Sequence, residues 1–264
     1  MIKSKPIGVF DSGVGGLSIC HAIREILPKE NIQYFADIHF SPYGNKPRSL
    51  IDKRSGYIVD FLVRNGCKAV VVACNTATVN SIKLLRSKFS IPIVGVEPGV
   101  KPASLNSHNG IIGVLATAQT LSSDSFKLLK SRFSKHIRVE VQACPEFVEL
   151  VEHLDHNSRK AVLVAQRYID PLLSKGCDQI VLGCTHFSFL RKAIEKVSGD
   201  RAVVIDTAMP VAQELKRRLY DLNRHNESGS NGKMEFWTSG DSSIVEDRIN
   251  TLWGKDSVVN EIAP

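Results

Sequence analysis

Two cysteines stand out as chemistry, because each sits in the same phrase. Residues 66–76 read GCKAVVVACNT and residues 176–186 read GCDQIVLGCTH, at a constant offset of 110 residues. Gly66 matches Gly176, Cys67 matches Cys177, Val71 matches Val181 and Cys74 matches Cys184. Each phrase has a glycine stop, a short β-branched run and small polar residues ahead of a helical pattern, which is how a buried strand feeding a helix reads. Cys74 and Cys184 therefore fall at the carboxyl end of a strand, near where open α/β sheets bind ligands. A thiol ahead of a helix start is expected to have its pKa drawn down from about 8.5 toward neutrality, giving a usable base or nucleophile. Two such thiols on opposite sides of a small carbon acid could invert it. One removes the Cα proton while the other delivers a proton, and each inversion exchanges their protonation states.

The elements that must hold the thiols repeat as well. Ile7–Phe10 reads as a strand, Asp11–Gly16 as a small-residue turn, and Leu17, Cys20, Ile23 and Ile26 as a helix stopped by Pro28. Strands at Ile32–Ala36, Ala69–Ala73 and Pro92–Val96 follow, with helices between them and a loop over Asp37–Gly44 containing Tyr43. The pattern restarts at Ile111–Leu115, where Thr117 and Thr120 stand in place of Asp11-Ser12. It continues through a strand at Ile137–Ala143, a helix opened by Cys144-Pro145 that carries Glu149 and Glu152, the Cys184 strand, and Ala202–Ile205. A long helix from Asp206, a polar loop over 223–232, a strand at Met234–Thr238 and a terminal helix have no counterpart in the first half. They are expected to return to the N-terminal module. The fold class is thus α/β: two pseudo-symmetric doubly wound modules with mainly parallel sheets and the active site in the cleft between them. One domain would comprise residues 1–97 plus 207–264 and the other residues 98–206.

Bulk properties narrow the setting. With 43% hydrophobic and 23% charged residues, the chain of 264 residues reads as a globular protein, neither disordered nor a coiled coil. Its apolar runs are too short to span a bilayer, and no secretory leader precedes the first strand, so no membrane association and a cytoplasmic location are expected. Six cysteines in such a setting are expected to stay reduced. The net charge of +7 would suit an acidic substrate, but Lys and Arg are scattered without stacking aromatics, so no nucleic-acid partner is expected.

Other uses of these residues remain open at this level. Asp11 could serve merely as an N-cap, or could orient or deprotonate a neighbour. The turn it opens, DSGVGG, offers an anion seat at a helix N-terminus, although its glycine spacing is not that of a dinucleotide fingerprint. Cys74, Cys184 and His186 could bind zinc, but no CxxC or HxxxH spacing supports a metal site, and disulfide exchange lacks its CxxC as well. A Cys/His hydrolase would use one cysteine and His186 and leave the second cysteine idle. A binding module without catalysis is a further class. In the two-thiol scheme, Ser12, Asn75, Thr76 and Thr185 would hold the substrate carboxylate. No lysine motif for pyridoxal phosphate or nucleotide fingerprint is visible, so no cofactor is implied.

The motifs FDSGVGG, PYG, ACNTAT, VEPG, GVLAT and LGCTH, in that order along essentially the whole chain, resemble the glutamate racemases of the aspartate/glutamate racemase family. The resemblance implies that Cys74 takes the proton from D-glutamate and Cys184 from L-glutamate, assisted by Asp11 and His186, with Glu152 as the matching acidic position. It implies substrate contacts at Asp11, Ser12, Tyr43, Gly44, Asn75, Thr76, Thr185 and His186, with Thr117 and Thr120 near a carboxylate. His186 is implied in substrate choice, since aspartate-specific members tend to carry Glu there. The implied enzyme is cofactor-independent and metal-free, a homodimer acting on L- and D-glutamate and supplying D-glutamate for peptidoglycan. The chain departs from the family in Asp206-Thr-Ala, where Asp-Ser-Gly is common.

Overall fold

The computed structural model describes residues 2–133, 137–254 and 257–263; the remaining positions within the expected domain boundaries lie outside the described residues. The first half contains β1 (Ile7–Asp11), α1 (Leu17–Ile26), β2 (Ile32–Ala36), α2 (Arg48–Arg64), β3 (Ala69–Val72), α3 (Asn75–Lys88) and β4 (Ile93–Gly95). After α4 (Val100–Asn106) the second half runs β5 (Ile111–Ala116), α5 (Ala118–Ser122), α6 (Asp124–Phe133), β6 (Arg138–Ala143), α7 (Pro145–Glu152) and α8 (Arg159–Ser174). It closes with β7 (Gln179–Leu182), α9 (Arg191–Ser198) and β8 (Val203–Ile205). Then come α10 (Ala208–Asp221), β9 (Met234–Thr238), α11 (Ser242–Trp253) and β10 (Val259–Glu261).

Two sheets result, with orders β10-β9-β2-β1-β3-β4 and β6-β5-β7-β8. The inner order of the first, β2-β1-β3-β4, is that of the second. Every pairing is parallel, so each connection must cross over, and the helices do this. The expected return of the C-terminal segment occurs: β9 pairs with β2 from Ile32↔Met234 to Ala36↔Thr238. Neither β10 nor α4 stands out in the sequence, because each is short and weakly patterned. The strands read at 69–73, 92–96 and 202–205 are each one or two residues shorter in the fold.

Burial explains why these strands are apolar throughout. Parallel sheets covered by helices on both faces need no polar alternation. In β1, Ile7 and Val9 join the core cluster that contains Leu17 and Ile23 of α1, while Phe10 packs in the opposite cluster with Ile51, Ile58 and Leu62 of α2. β3 divides likewise, Val71 to one side and Val70 and Val72 to the other. The α1-side cluster continues without a break into Phe147, Phe187 and Leu182 of the second half. The two modules therefore share one apolar seam.

The glycines that open the repeated phrase close helices. Gly66 has φ +84° and Gly176 φ +86°. In each case the following cysteine N–H donates to the carbonyl five residues back, Cys67 to Leu62 and Cys177 to Leu172, while the glycine N–H donates three back. This is a Schellman closure, twice. An added Cβ at Gly66 would meet nothing within 4 Å, so only the left-handed backbone resists a side chain there. Gly66→Ala and Gly176→Ala should each destabilise by about 1 kcal/mol and lower the thermal midpoint by ~2–4 °C. Calorimetry of the two single variants checks this, and equal costs at both sites are expected.

Candidate active site

The first half contributes Asp11, Ser12, Cys74, Asn75 and Thr76, all buried, at the carboxyl ends of β1 and β3. Cys74 is the N-cap of α3, and its Sγ accepts the Ala77 N–H at 3.4 Å. Its thiol donates toward Ser12 Oγ at 3.8 Å. The lowered thiol pKa expected at this helix start is not found. Burial dominates and pushes the Cys74 thiol up, the negative charges of Asp11 and Cys184 push the same way, and the contacts with Ala77 and Ser12 only partly oppose.

Asp11 is buried beneath the turn rather than acting as the N-cap of α1, a position held by Gly16. Its Oδ2 accepts N–H groups from Gly13 at 3.2 Å and Gly16 at 3.1 Å. Its Oδ1 has no hydrogen-bond partner among the described residues. Burial raises the Asp11 carboxyl above the ordinary value, against the pull of His186 and the two N–H groups.

The second half supplies Cys184, Thr185 and His186, buried where β7 turns into a 3₁₀ helix over Thr185–Leu190; the α-helix expected here begins only at Arg191. Cys184 Sγ lies 3.8 Å from His186 Nδ1. His186 Nε2 lies 2.7 Å from Glu152 Oε1, at the end of α7, and the Val14 N–H donates to the same oxygen at 3.1 Å. Arg248 Nη1 donates to Glu152 Oε2 at 2.8 Å. Burial by itself would lower the His186 pKa, but its bonds to Cys184 and Glu152 and the charge of Asp11 prevail and hold it well above 6.5. Burial likewise works to raise Glu152, yet His186, Val14 and Arg248 together hold it below 4.5.

The glycine turn of β1–α1 does not act as an open anion seat. A Cβ on Gly13 would lie 2.0 Å from Glu152 Oε1, and one on Gly15 would lie 2.2 Å from His186 Nδ1. These glycines are needed because two side chains of the second half press against the backbone. The turn's N–H groups at residues 13, 14 and 16 are taken by the carboxylates of Asp11 and Glu152.

A hydroxyl cluster bridges the halves beside the thiols. Thr76 Oγ1 lies 3.0 Å from Thr117 Oγ1 and 3.3 Å from Thr120 Oγ1, and the latter two are 2.9 Å apart. Gly44 packs against the carbon side of Thr117, where an added Cβ would approach the Thr117 Cβ at 3.2 Å. Tyr43 turns its hydroxyl away from this cluster to donate to Asp37. Asp37 also takes Arg54 through both carboxylate oxygens, at 2.8 and 3.1 Å, and the Ser239 hydroxyl at 2.7 Å. Asn75 reaches back through Nδ2 to the Val96 carbonyl at 3.3 Å. Among the described residues, no group of three or more His, Cys, Asp or Glu side chains is placed to hold a metal ion.

The structure thus gathers Asp11, Ser12, Cys74 and Thr76 with Thr117, Thr120, Glu152, Cys184, Thr185 and His186. Arg248, Arg54 and Ser239 escape the sequence reading. Nothing local marks them, and Arg248 lies 96 positions from the residue it meets.

Comparison with known proteins places the arrangement. Residues 7–215 match the Asp/Glu/Hydantoin racemase family. The chain belongs to this family, and its class is that of the isomerases. Relatives that it matches along nearly its whole length include glutamate racemases. That of Methylococcus capsulatus is 44% identical over 94% of this chain and 92% of its own. A glutamate racemase isoform of Bacillus anthracis has a crystal structure that superposes with a TM-score of 0.90, at 31% identity and 98% coverage of both chains. The glutamate racemase of Francisella tularensis, solved in complex with D-glutamate, gives a TM-score of 0.86 at 28% identity, covering 99% of this chain and 98% of that one.

Two consequences are measurable. Asp37→Asn leaves the Arg54 guanidinium buried against a neutral amide, which should cost about 3 kcal/mol and loosen the segment carrying Gly44. The denaturant midpoint should fall, and KM should rise more than kcat falls. The Glu152–His186 pair should also make stability depend on pH. The raised His186 contributes stability that is full below about 6.5 and lost as pH rises through its higher folded value; the depressed Glu152 contributes stability present above about 4.5 and lost on acidification. Wild type should exceed His186→Asn most between those limits, and denaturation midpoints across pH 4 to 9 (about that span suffices) test the sign.

Proposed function

We propose that this chain interconverts L- and D-glutamate by moving a proton at Cα between Cys74 and Cys184, without a cofactor. The observation that supports the reading is a pair of buried strand-end cysteines, one in each half of the chain, on two sheets whose inner strand orders match. Support for the substrate comes from the relatives, glutamate racemases along the whole chain, one of them solved with D-glutamate bound. Residues 1–97 with 207–264 form one domain and residues 98–206 the other, with the cleft between them.

The mechanism needs one thiolate and one thiol at a time. Negative charge on both sulfurs at once would be mutually unfavourable, which suits a scheme in which they carry it in turn. Cys184, as thiolate beside cationic His186, takes the Cα proton of L-glutamate, and Cys74 as thiol protonates the opposite face. From D-glutamate the roles exchange, with Asp11 accepting from the substrate ammonium and handling the proton on the Cys74 side. Ser12, Asn75, Thr76, Thr117, Thr120 and Thr185 hold the carboxylates, and charge developing toward the enolate rests on their donors. Tyr43 and Gly44 shape the wall by which Gly44 meets Thr117, and His186 favours glutamate over aspartate. The product is D-glutamate for peptidoglycan, made in the cytoplasm by a homodimer.

Enantiomers have equal free energy in water, so any variant must lose kcat/KM equally in both directions. Isotope uptake therefore distinguishes the two sides better than net rate. Cys74→Ser and Cys184→Ser should each lower racemisation by ~10³-fold or more, because a hydroxyl is a far weaker acid than a thiol. In deuterated water the wild-type product should carry deuterium at Cα, by mass spectrometry, and added pyridoxal phosphate should change nothing. Full turnover by either variant would refute the two-base scheme.

A further inference from the structure

Glu152 has both carboxylate oxygens committed. Oε1 accepts from Val14 N–H and faces His186 Nε2, which leaves Oε2 alone to fix the rotation of the group, and Arg248 Nη1 takes it at 2.8 Å. The ion pair is well shielded, with the Arg248 side chain 21% and the Glu152 side chain 12% exposed. The other charged groups acting here are His186, in contact with Glu152, and Asp11, which Glu152 and His186 both influence. Arg248 comes from α11, in the segment that has no counterpart in the first half. On the Cys74 side, Sγ contacts only Ser12 and the Ala77 N–H among the described hydrogen bonds, with no comparable chain of charges.

Holding α11 in place does not require this arginine. Val245, Ile249, Leu252 and Trp253 are buried beneath the helix, His21 Nε2 bonds the Leu252 carbonyl at 2.9 Å, and the His21 ring stacks on Trp253 at 4.5 Å. The energetic purpose of Arg248 therefore lies with Glu152 rather than with docking the helix. A charge-assisted bond to the second oxygen locks the carboxylate plane, and with it the direction from which Oε1 holds the imidazole.

We propose that Arg248 is a positioning residue for the Cys184 side of the cleft: through Glu152 it sets the ring orientation of His186. This rests on the reading of Cys184 as a proton-transferring base. The residue touches no reacting atom, so its loss should reduce the rate of proton transfer rather than substrate capture.

The test uses the full chain with Arg248→Met, Arg248→Lys, Glu152→Gln and the Arg248→Met/Glu152→Gln double variant, and Cys184→Ser as control. Arg248→Met should lower kcat for glutamate racemisation about tenfold with KM within about twofold, and Arg248→Lys should recover part of it. In the double variant, Arg248→Met should add almost no loss to that of Glu152→Gln, because the arginine acts through that carboxylate. Iodoacetamide labelling followed by mass spectrometry should change in rate at Cys184 and not at Cys74, while the thermal midpoint of Arg248→Met stays within about 3 °C of wild type. Losses that add in the double variant, an unchanged kcat in Arg248→Met, or equal labelling changes at both cysteines would overturn the assignment. The control separates the two failures. An inactive Cys184→Ser with additive losses removes only the role of Arg248, whereas an active Cys184→Ser removes the reading of the site and this inference with it.

Discussion

His186 and Glu152 belong to the second half of the chain, yet they rest against a turn of the first half with no room for a methyl group between. The close approach at Gly13 and Gly15 fixes how the two sheets face each other. It also removes water from both side chains, so an imidazole and a carboxylate that would be weakly coupled in solvent become a strong buried pair. Burial alone would make the imidazolium unfavourable. The Glu152 carboxylate, the Asp11 charge and Cys184 reverse that preference, and the cation persists beside one sulfur but not beside the other.

This asymmetry sits inside a symmetric frame. The two inner strand orders are identical and both thiols are nearly enclosed, but their partners differ. Cys74 has the capped end of α3, which desolvation outweighs, and a neighbouring carboxylate that pushes its thiol up further. Cys184 has a histidine held from behind by an acid that is itself held by an arginine. The proposed two-base reaction asks for two proton-transferring groups, not for two identical environments. What counts is that a proton on one sulfur and a negative charge on the other differ little in energy from the reverse.

Around the thiols, the hydroxyls of Thr76, Thr117 and Thr120 join the halves by hydrogen bonds alone, without charge. Such a triad can rearrange to accept a carboxylate at small cost, because each hydroxyl can turn its proton outward. The loop that brings Gly44 to Thr117 is tied down from beneath by the bonds of Asp37 with Arg54 and Ser239. A tied-down loop and rotatable donors together suit the proposed site, which would take two enantiomers in one place.

Much of this was legible in the residues themselves. The repeat at Cys74 and Cys184 implied two parallel modules, because a glycine stop, a β-branched run and a helix start encode local geometry, and the inner strands and helices form where those signals lie. The motifs shared with the racemases likewise implied Glu152 and His186, and these do meet in space. Three things were decided only in three dimensions. The sign of the Cys74 shift depended on burial, a property of neighbours far along the chain that outweighs the helix start visible in the sequence. The purpose of Gly13 and Gly15 depended on side chains more than 130 positions away, from Glu152 Oε1 to the Val14 N–H between them. The place of Arg248 depended on how the C-terminal segment returns, because an arginine on the polar side of a terminal helix carries no local mark of the carboxylate it will meet. Sequence fixes conformation where the forces act within a few residues, and only packing determines which charges end up without water.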